Sequence, residues 1–144
     1  METTKLSRLV EKHPSAATSL RTLSGEDATN LKTRLSDRLK LDASLDGLRF
    51  MQALRSRRKS VVCSNAESAN FNLVECLKSA GLVAEPRVYI NWDRLQTIDS
   101  IDLKIVAQHL DDFWYPKADD IDIFDDTCSW VLSIDYDGFA WVVT

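Results

Sequence analysis

The sequence predicts an α+β fold in which N-terminal helices precede a small antiparallel sheet, a C-terminal β-meander covered by helices on one face. Apolar residues recur at helical spacing in residues 1–62, and they alternate with polar residues in 120–143. With 144 residues, the chain is expected to form a single domain over 1–144. Its residues 1–62 form a basic helical part, and residues 63–144 form an acidic α+β part.

The basic helical part is predicted to contain four helical segments. Residues 4–12 have apolar residues at helical spacing, and Pro14 is typical of the first turn of a second segment. Ser24 is a favourable N-cap for a third helix, which has a leucine at every fourth position. Asp42 or Ser44 is expected to cap the fourth helix. Its apolar face consists of Leu45, Leu48, Met51 and Leu54.

The middle of the chain is predicted to contain two strands and two helices. Gly81 follows one helical run and suits a left-handed C-terminal cap. Runs of β-branched and aromatic residues favour strands. The expected elements are a strand over 60–63, a helix over 66–80, a strand over 87–92, and a helix that begins at Asp99 or Ser100 and stops before Pro116.

Three strands are expected over residues 120–143. The dipeptide Asp137-Gly138 separates two strand-like runs and predicts a two-residue hairpin of type I′, since that turn needs positive φ at both positions. This turn would place Tyr136 opposite Phe139 and would make one hairpin face entirely apolar. That face is expected to be core and consists of Trp130, Leu132, Ile134, Tyr136, Phe139, Trp141 and Val143.

The same alternation places carboxylates on the opposite face of the predicted sheet. If Ile121 and Ile123 join the core, Asp120 and Asp122 point away from it and lie beside Asp135. Such a face can bind a divalent cation, hold catalytic acids, dock a basic partner, or remain a solvated edge. Aromatic residues next to carboxylates are typical of interface anchors, and the alternative is that they cover the end of the sheet. The candidate partner-binding residues are Asp119, Asp120, Asp122, Asp125, Asp126 and Asp135, with Trp114 and Tyr115 at the rim.

Charge is distributed unevenly along the chain. Residues 1–62 contain 13 basic and 7 acidic residues, residues 63–144 contain 5 and 15, and the net charge is −4. This asymmetry either selects a charged partner or is neutralised within the fold. A basic run can contact the phosphates of nucleic acid, or it can favour the dipole at the end of its own helix. The run consists of Arg55, Arg57, Arg58 and Lys59.

Several classes of protein and site are disfavoured by the sequence. No apolar run approaches the roughly 20 residues of a transmembrane helix, and no signal-peptide pattern occurs, so no membrane association is expected. The sequence contains three cysteines with no close pairing, Cys63, Cys76 and Cys128. This pattern predicts a reduced, cytoplasmic protein in which Cys128 is exposed. No complete enzymatic or phosphate-loop motif is present. We therefore expect no enzyme, no cofactor and no metal.

Residues 87–144 combine acidic and aromatic residues on the predicted meander. The pattern consists of Asp111-Asp112-Phe113-Trp114-Tyr115-Pro116, Asp119-Asp120-Ile121, Phe124-Asp125 and Trp130-Val131-Leu132. It resembles the C-terminal part of small bacterial immunity proteins, which inhibit the toxins of polymorphic and contact-dependent systems. The resemblance implies an acidic cytoplasmic protein that occupies the positive cleft of a basic toxin, often a nuclease.

The leading hypothesis is a non-enzymatic binding protein that neutralises a basic toxin or another nucleic-acid-processing protein. It would cover the cationic surface of that partner with its acidic sheet face. The first alternative is a nucleic-acid-associated regulatory protein that uses the basic helical part, and salt-sensitive binding to generic DNA would favour it. The second is a small enzyme, and a pocket that gathers His109 or a cysteine with the carboxylates would favour that class.

Overall fold

A seven-stranded sheet and seven helices make up the protein, described from a computed structural model over residue 1 and residues 3–144, without the side chain of residue 3. The helices are α1 Thr3–Lys12, α2 Pro14–Ala17, α3 Gly25–Leu39, α4 Gly47–Arg55, α5 Leu73–Ser79, α6 Leu103–Gln108 and α7 Leu110–Phe113. The strands are β1 Arg21–Thr22, β2 Lys59–Ser60, β3 Arg87–Asp93, β4 Thr97–Asp102, β5 Ile121–Asp125, β6 Val131–Ile134 and β7 Ala140–Val143. The predicted α+β class is confirmed.

The sheet joins the basic and acidic parts of the chain. Its strand order is β1-β4-β3-β5-β6-β7-β2, and every neighbouring pair is antiparallel. The predicted meander β5-β6-β7 is present. The two edge strands, β1 and β2, come from residues 1–62 and are only two residues long. Short edge strands limit pairing with other chains.

Helices cover both faces of the sheet, so the expectation of one covered face is wrong. On one face, α1, α2, α5, α6 and α7 pack on an apolar cluster that includes Ile90, Ile123 and Leu132. On the other, α3 and α4 pack on a cluster that includes Phe124 and Val131. The physical reason is that β5 is buried at all five positions, so both of its faces need a covering layer.

The β6–β7 hairpin has a different register from the predicted one. Ile134 pairs with Ala140, and Asp135 N donates to Phe139 O at 3.1 Å, so the loop has three residues rather than two. Gly138 takes a left-handed φ of 80°, whereas Asp137 does not have a positive φ. The one-residue shift moves side chains to the other face. Tyr136 and Phe139 are 53% and 56% exposed instead of forming core.

The helix predictions are correct for the start of the chain and fail near residue 100. Ser24 caps α3 by accepting a hydrogen bond from the backbone N–H of Asp27. The cap of α4 is Asp46 rather than Asp42 or Ser44. Residues 97–102 form strand β4, paired with β3 and β1, and the following helix begins only at Leu103. None of the described helices has the length and apolar character that crossing a bilayer requires.

The cysteines also differ from the prediction. Cys63 and Cys76 form a disulfide with their Cα atoms 5.3 Å apart, which ties the start of the acidic part to α5. Cys128 is fully buried instead of exposed, and this burial raises the pKa of its thiol. The pairing escaped the sequence analysis because two cysteines at a sequence separation of 13 give no local signal of their proximity.

Candidate functional site

The sheet face predicted to carry carboxylates is present, but helices cover it, so it is not exposed to solvent. Asp122 of β5 pairs with Ser133 of β6, as the alternation predicts, and both lie on the face that α3 and α4 cover. Asp122 is only 7% exposed. The expectation that Asp122 lies on an open sheet face is therefore wrong, because α3 and α4 cover that face and leave Asp122 only at the border of the polar cleft described below.

Asp122 belongs to a buried polar network beneath α4. Its Oδ2 accepts from Asn91 Nδ2 at 2.8 Å, and its Oδ1 accepts from Ser133 Oγ at 2.5 Å. Asn91 Oδ1 in turn accepts from the backbone N–H of Leu95 at 2.7 Å. Burial raises the pKa of Asp122, although both hydrogen bonds act in the opposite direction. The network fixes the β3–β4 turn to the centre of the sheet.

The carboxylates of Asp120 and Asp135 are bound within the protein. Asp120 is exposed, yet its Oδ2 lies 2.9 Å from Arg55 Nη2 and its Oδ1 accepts from Tyr136 N at 2.9 Å. Asp135 shapes the hairpin by accepting from Phe139 N at 2.9 Å and from Trp141 Nε1 at 2.8 Å. Asp135 is a turn residue here, and Asp120 alone of the two faces solvent.

Three further candidate carboxylates lie in separate places. Asp125 is fully buried and accepts from the backbone N–H of Glu85 at 3.0 Å, so its prediction as an exposed contact is wrong. Asp126 is exposed and accepts a hydrogen bond from Tyr89 Oη at 2.9 Å. Burial, together with this hydrogen bond, raises the pKa of the Tyr89 phenol to about 12. Asp119 is paired with Lys5 at 2.6 Å. These acids do not converge on one docking face.

The two predicted rim aromatics have different environments. Trp114 is 1% exposed, and its Nε1 donates to Asp119 O at 2.9 Å, so its prediction as a rim anchor is wrong. Tyr115 is half-buried beneath two cations. Lys5 Nζ lies 4.8 Å from its ring centre, and Arg8 Nη1 donates to its hydroxyl at 3.2 Å. Trp114 therefore serves the core, and Tyr115 binds the first helix.

Ion pairs across the two parts of the chain neutralise much of the charge asymmetry. Four cations of the basic part lie against carboxylates of the acidic part. The pairs are Lys5–Asp119 at 2.6 Å, Lys12–Asp112 at 2.7 Å, Arg34–Asp126 at 3.2 Å and Arg55–Asp120 at 2.9 Å. The alternative that the charges are balanced within the fold therefore accounts for these residues.

A polar cleft lies where β3 turns into β4 and β5 begins. Its volume is about 490 Å³, and Met51 and Leu48 of α4 form part of its wall. The turn beside it has left-handed φ values of 47° at Arg94 and 62° at Leu95. The charged residues that line the cleft are four carboxylates and two guanidinium groups: Asp93, Asp119, Asp120, Asp122, Arg55 and Arg94.

A cluster of unpaired cations lies at the ends of α3 and α4. Arg57 donates to the carbonyls of Leu39 at 2.7 Å and Lys40 at 3.2 Å, which brings the two helix ends together. Arg58 stacks 4.4 Å above the Trp141 ring. We call this cluster the basic patch. It consists of Arg38, Lys40, Arg57, Arg58 and Lys59, and within the described residues no carboxylate pairs with any of them.

A group of metal-ligating side chains joins the junction between α1 and α2 to α7. His13, His109 and Asp112 each bring one ligand atom within 4.8 Å of the others. His109 thus meets Asp112 and His13 rather than the predicted acids. Cys128 lies beside Asp125 and Asp126, but it is fully buried. The spacing His109-x-x-Asp112 was the available signal, but only the fold supplies His13.

No protein-family model, curated protein or solved structure matches this chain. The resemblance of residues 87–144 to immunity proteins therefore stays a prediction.

Proposed function

We propose that the protein is a non-enzymatic, nucleic-acid-associated binding protein that contacts the phosphate backbone with its basic patch. The observation that carries this proposal is a contrast between two sets of cations from residues 1–62, apart from Arg21 and Arg49, which pair with acids of the basic part itself. Four are paired with carboxylates of the acidic part, whereas the five of the basic patch have no acidic partner among the described residues. Four of the five are exposed and Arg58 is partly buried, and cations without an acidic partner can exchange the counterions of a polyanion.

Contacts with neighbouring elements anchor part of the basic patch. Arg57 is anchored to the end of α3 by two carbonyls, and Lys59 lies in β2, which pairs with β7. Arg58 rests on the indole of Trp141, which leaves the guanidinium edge available for hydrogen bonds to phosphate. A preorganised array loses less conformational freedom when it binds.

The proposal is tested by removing charge from the patch and from a distant surface. Arg38→Gln with Lys59→Gln removes two patch cations, and Lys78→Gln with Lys104→Gln removes two cations on α5 and α6, across the sheet. Binding to a fluorescent 20-base-pair duplex is measured by anisotropy over a salt series. We expect the salt slope of log K to fall by about 2 for the patch variant and to stay unchanged for the control.

Two outcomes would contradict this proposal. One is the absence of duplex binding by the wild-type protein at low salt. The other is an equal loss of affinity in the two variants, which would show that net charge rather than the basic patch controls binding.

The second candidate is neutralisation of a cationic protein, such as a toxin nuclease, through the polar cleft. The specific observation in its favour is that four carboxylates line this cleft against two guanidinium groups. The Asp120–Arg55 pair at its rim has both side chains substantially exposed, at 39% and 48%. Such a pair contributes less than about 1 kcal/mol, so a cation from a partner can replace Arg55 at little cost.

This candidate is tested by affinity capture of the tagged chain in its native host, followed by kinetics with the captured basic protein. Asp93→Asn with Asp120→Asn should slow association, with a smaller effect at high salt. Glu75→Gln with Glu85→Gln makes the same change in net charge outside the cleft and should leave the association rate unchanged. An unchanged association rate for the cleft variant at low salt would exclude the cleft as the contact surface.

A further inference from the structure

We propose that His13, His109 and Asp112 form a binding site for a divalent transition-metal ion of the Zn²⁺ class. The inference is independent of the proposed nucleic-acid binding, because the three residues lie on the opposite face of the sheet from α3 and α4. His13 separates α1 from α2, His109 separates α6 from α7, and Asp112 lies within α7. A bound ion would tie the first helix to the α6–α7 segment.

The distances approach those of a coordinated ion. His13 Nε2 lies 3.2 Å from Asp112 Oδ2, and all three ligand atoms lie within 4.8 Å of one another. Ligands about 2.0–2.1 Å from a tetrahedral Zn²⁺ ion are roughly 3.3 Å apart. The His13–Asp112 pair already has this spacing, whereas His109 would have to rotate out of its stack on His13 to complete the site.

The donor set selects the class of ion. Two imidazole nitrogens and one carboxylate oxygen suit Zn²⁺ and its transition-metal neighbours, whereas Mg²⁺ and Ca²⁺ prefer oxygen ligands alone. Both histidines are partly exposed, so a water molecule can reach the fourth coordination position. Three protein ligands and one open position are typical of zinc sites that exchange ligands.

A second interaction orients the carboxylate. Lys12 Nζ lies 2.7 Å from Asp112 Oδ1, which leaves Oδ2 directed at His13. The rings of His13 and His109 stack with their centres 3.8 Å apart. Lys12 holds the carboxylate as the outer hydrogen-bond partners of metal ligands do. The structure therefore presents the carboxylate and both imidazoles in one partly exposed group.

The test is calorimetric titration of the oxidised protein with Zn²⁺, without reductant, because the thiols of a reduced Cys63–Cys76 pair would bind zinc themselves. We expect one ion per chain for the wild type and no binding of Mg²⁺. His109→Gln should weaken Zn²⁺ binding at least about tenfold. The matched control Asp111→Asn, next to Asp112 but exposed, should change the affinity less than twofold.

A second readout guards against misfolding. His13→Gln tests the same site from the other side of the cluster, and circular dichroism reports whether each variant is folded. Visible absorption of bound Co²⁺ should show the tetrahedral spectrum in the wild type and lose it in both histidine variants. Absence of stoichiometric Zn²⁺ binding, or wild-type affinity in both folded histidine variants, would overturn the proposal.

Discussion

The side-chain amide of Asn91 donates from Nδ2 to Oδ2 of Asp122 at 2.8 Å, in the layer between the sheet and α4. This contact joins β3 to β5 on a face that is otherwise packed with apolar residues. Asp122 also accepts from Ser133, so both of its oxygens are satisfied. A carboxyl group held in this way is a constraint on the fold and a source of pH-dependent stability.

Asp122→Asn should change how stability depends on pH. Burial raises the pKa of Asp122, so the folded protein holds this proton more tightly than the unfolded chain, whose aspartates titrate near about 3.9. The stabilisation is complete below that pH and is lost as the pH rises through the raised folded pKa. The asparagine variant lacks this loss, because its amide does not titrate, and the amide oxygen and nitrogen can still bind Asn91 and Ser133.

Urea denaturation from about pH 4, near the unfolded aspartate pKa, up to about pH 8 measures this effect. The free energy of unfolding of the variant relative to wild type should increase with pH. Asp120→Asn is the exposed control and should show no such trend. A pH-independent difference for Asp122→Asn would contradict the prediction.

Gly138→Ala should destabilise the protein by about 1–3 kcal/mol. Gly138 has a φ of 80°, and an added Cβ would clash with Asn65 Oδ1, whose side chain is fixed by a hydrogen bond from Asn65 Nδ2 to Asp137 O at 2.7 Å. Gly25→Ala is the matched control, because nothing lies within 4 Å of its added Cβ and its φ is not left-handed. Chemical denaturation should show that control to be neutral or slightly more stable.

Asp119→Asn should cost about 3–5 kcal/mol, because it leaves the ammonium of Lys5 buried without its countercharge. Lys5 is 3% exposed and lies 2.6 Å from Asp119. The comparison is Glu75→Gln, which breaks the exposed Lys78–Glu75 pair and should change the free energy of unfolding by less than about 1 kcal/mol. Equal effects of the two substitutions in thermal and urea unfolding would refute this assignment.

Loss of the Cys63–Cys76 disulfide should lower the free energy of unfolding by about 2–4 kcal/mol, since the bond closes a loop of 13 residues in the unfolded chain. A reductant should therefore destabilise the wild type. It should have no effect on Cys63→Ser with Cys76→Ser, which already lacks the bond. Alkylation of the unfolded, unreduced protein should modify one thiol, that of Cys128; modification of three thiols would contradict the pairing.

The predicted candidate site was correct in its local geometry and wrong in its accessibility. Alternation along 120–123 correctly placed Asp122 beside Ser133. It could not show that α3 and α4 cover that face, because the covering helices lie about 70–100 residues earlier in the chain. For the basic patch, the sequence showed the cations but not their partners. The basic run at 55–59 could be identified, whereas the lack of a carboxylate partner depended on which cations the fold pairs.

The sequence alone determined the α+β class, the start of α3 at Ser24, the order of the C-terminal strands and the bend at Gly138, because caps, alternation and glycine conformations act over a few residues. Only the tertiary structure decided the hairpin register, the strand at 97–102, the disulfide and the meeting of His13 with Asp112. These features depend on contacts between distant segments, and long-range packing overrides local preference when the two compete.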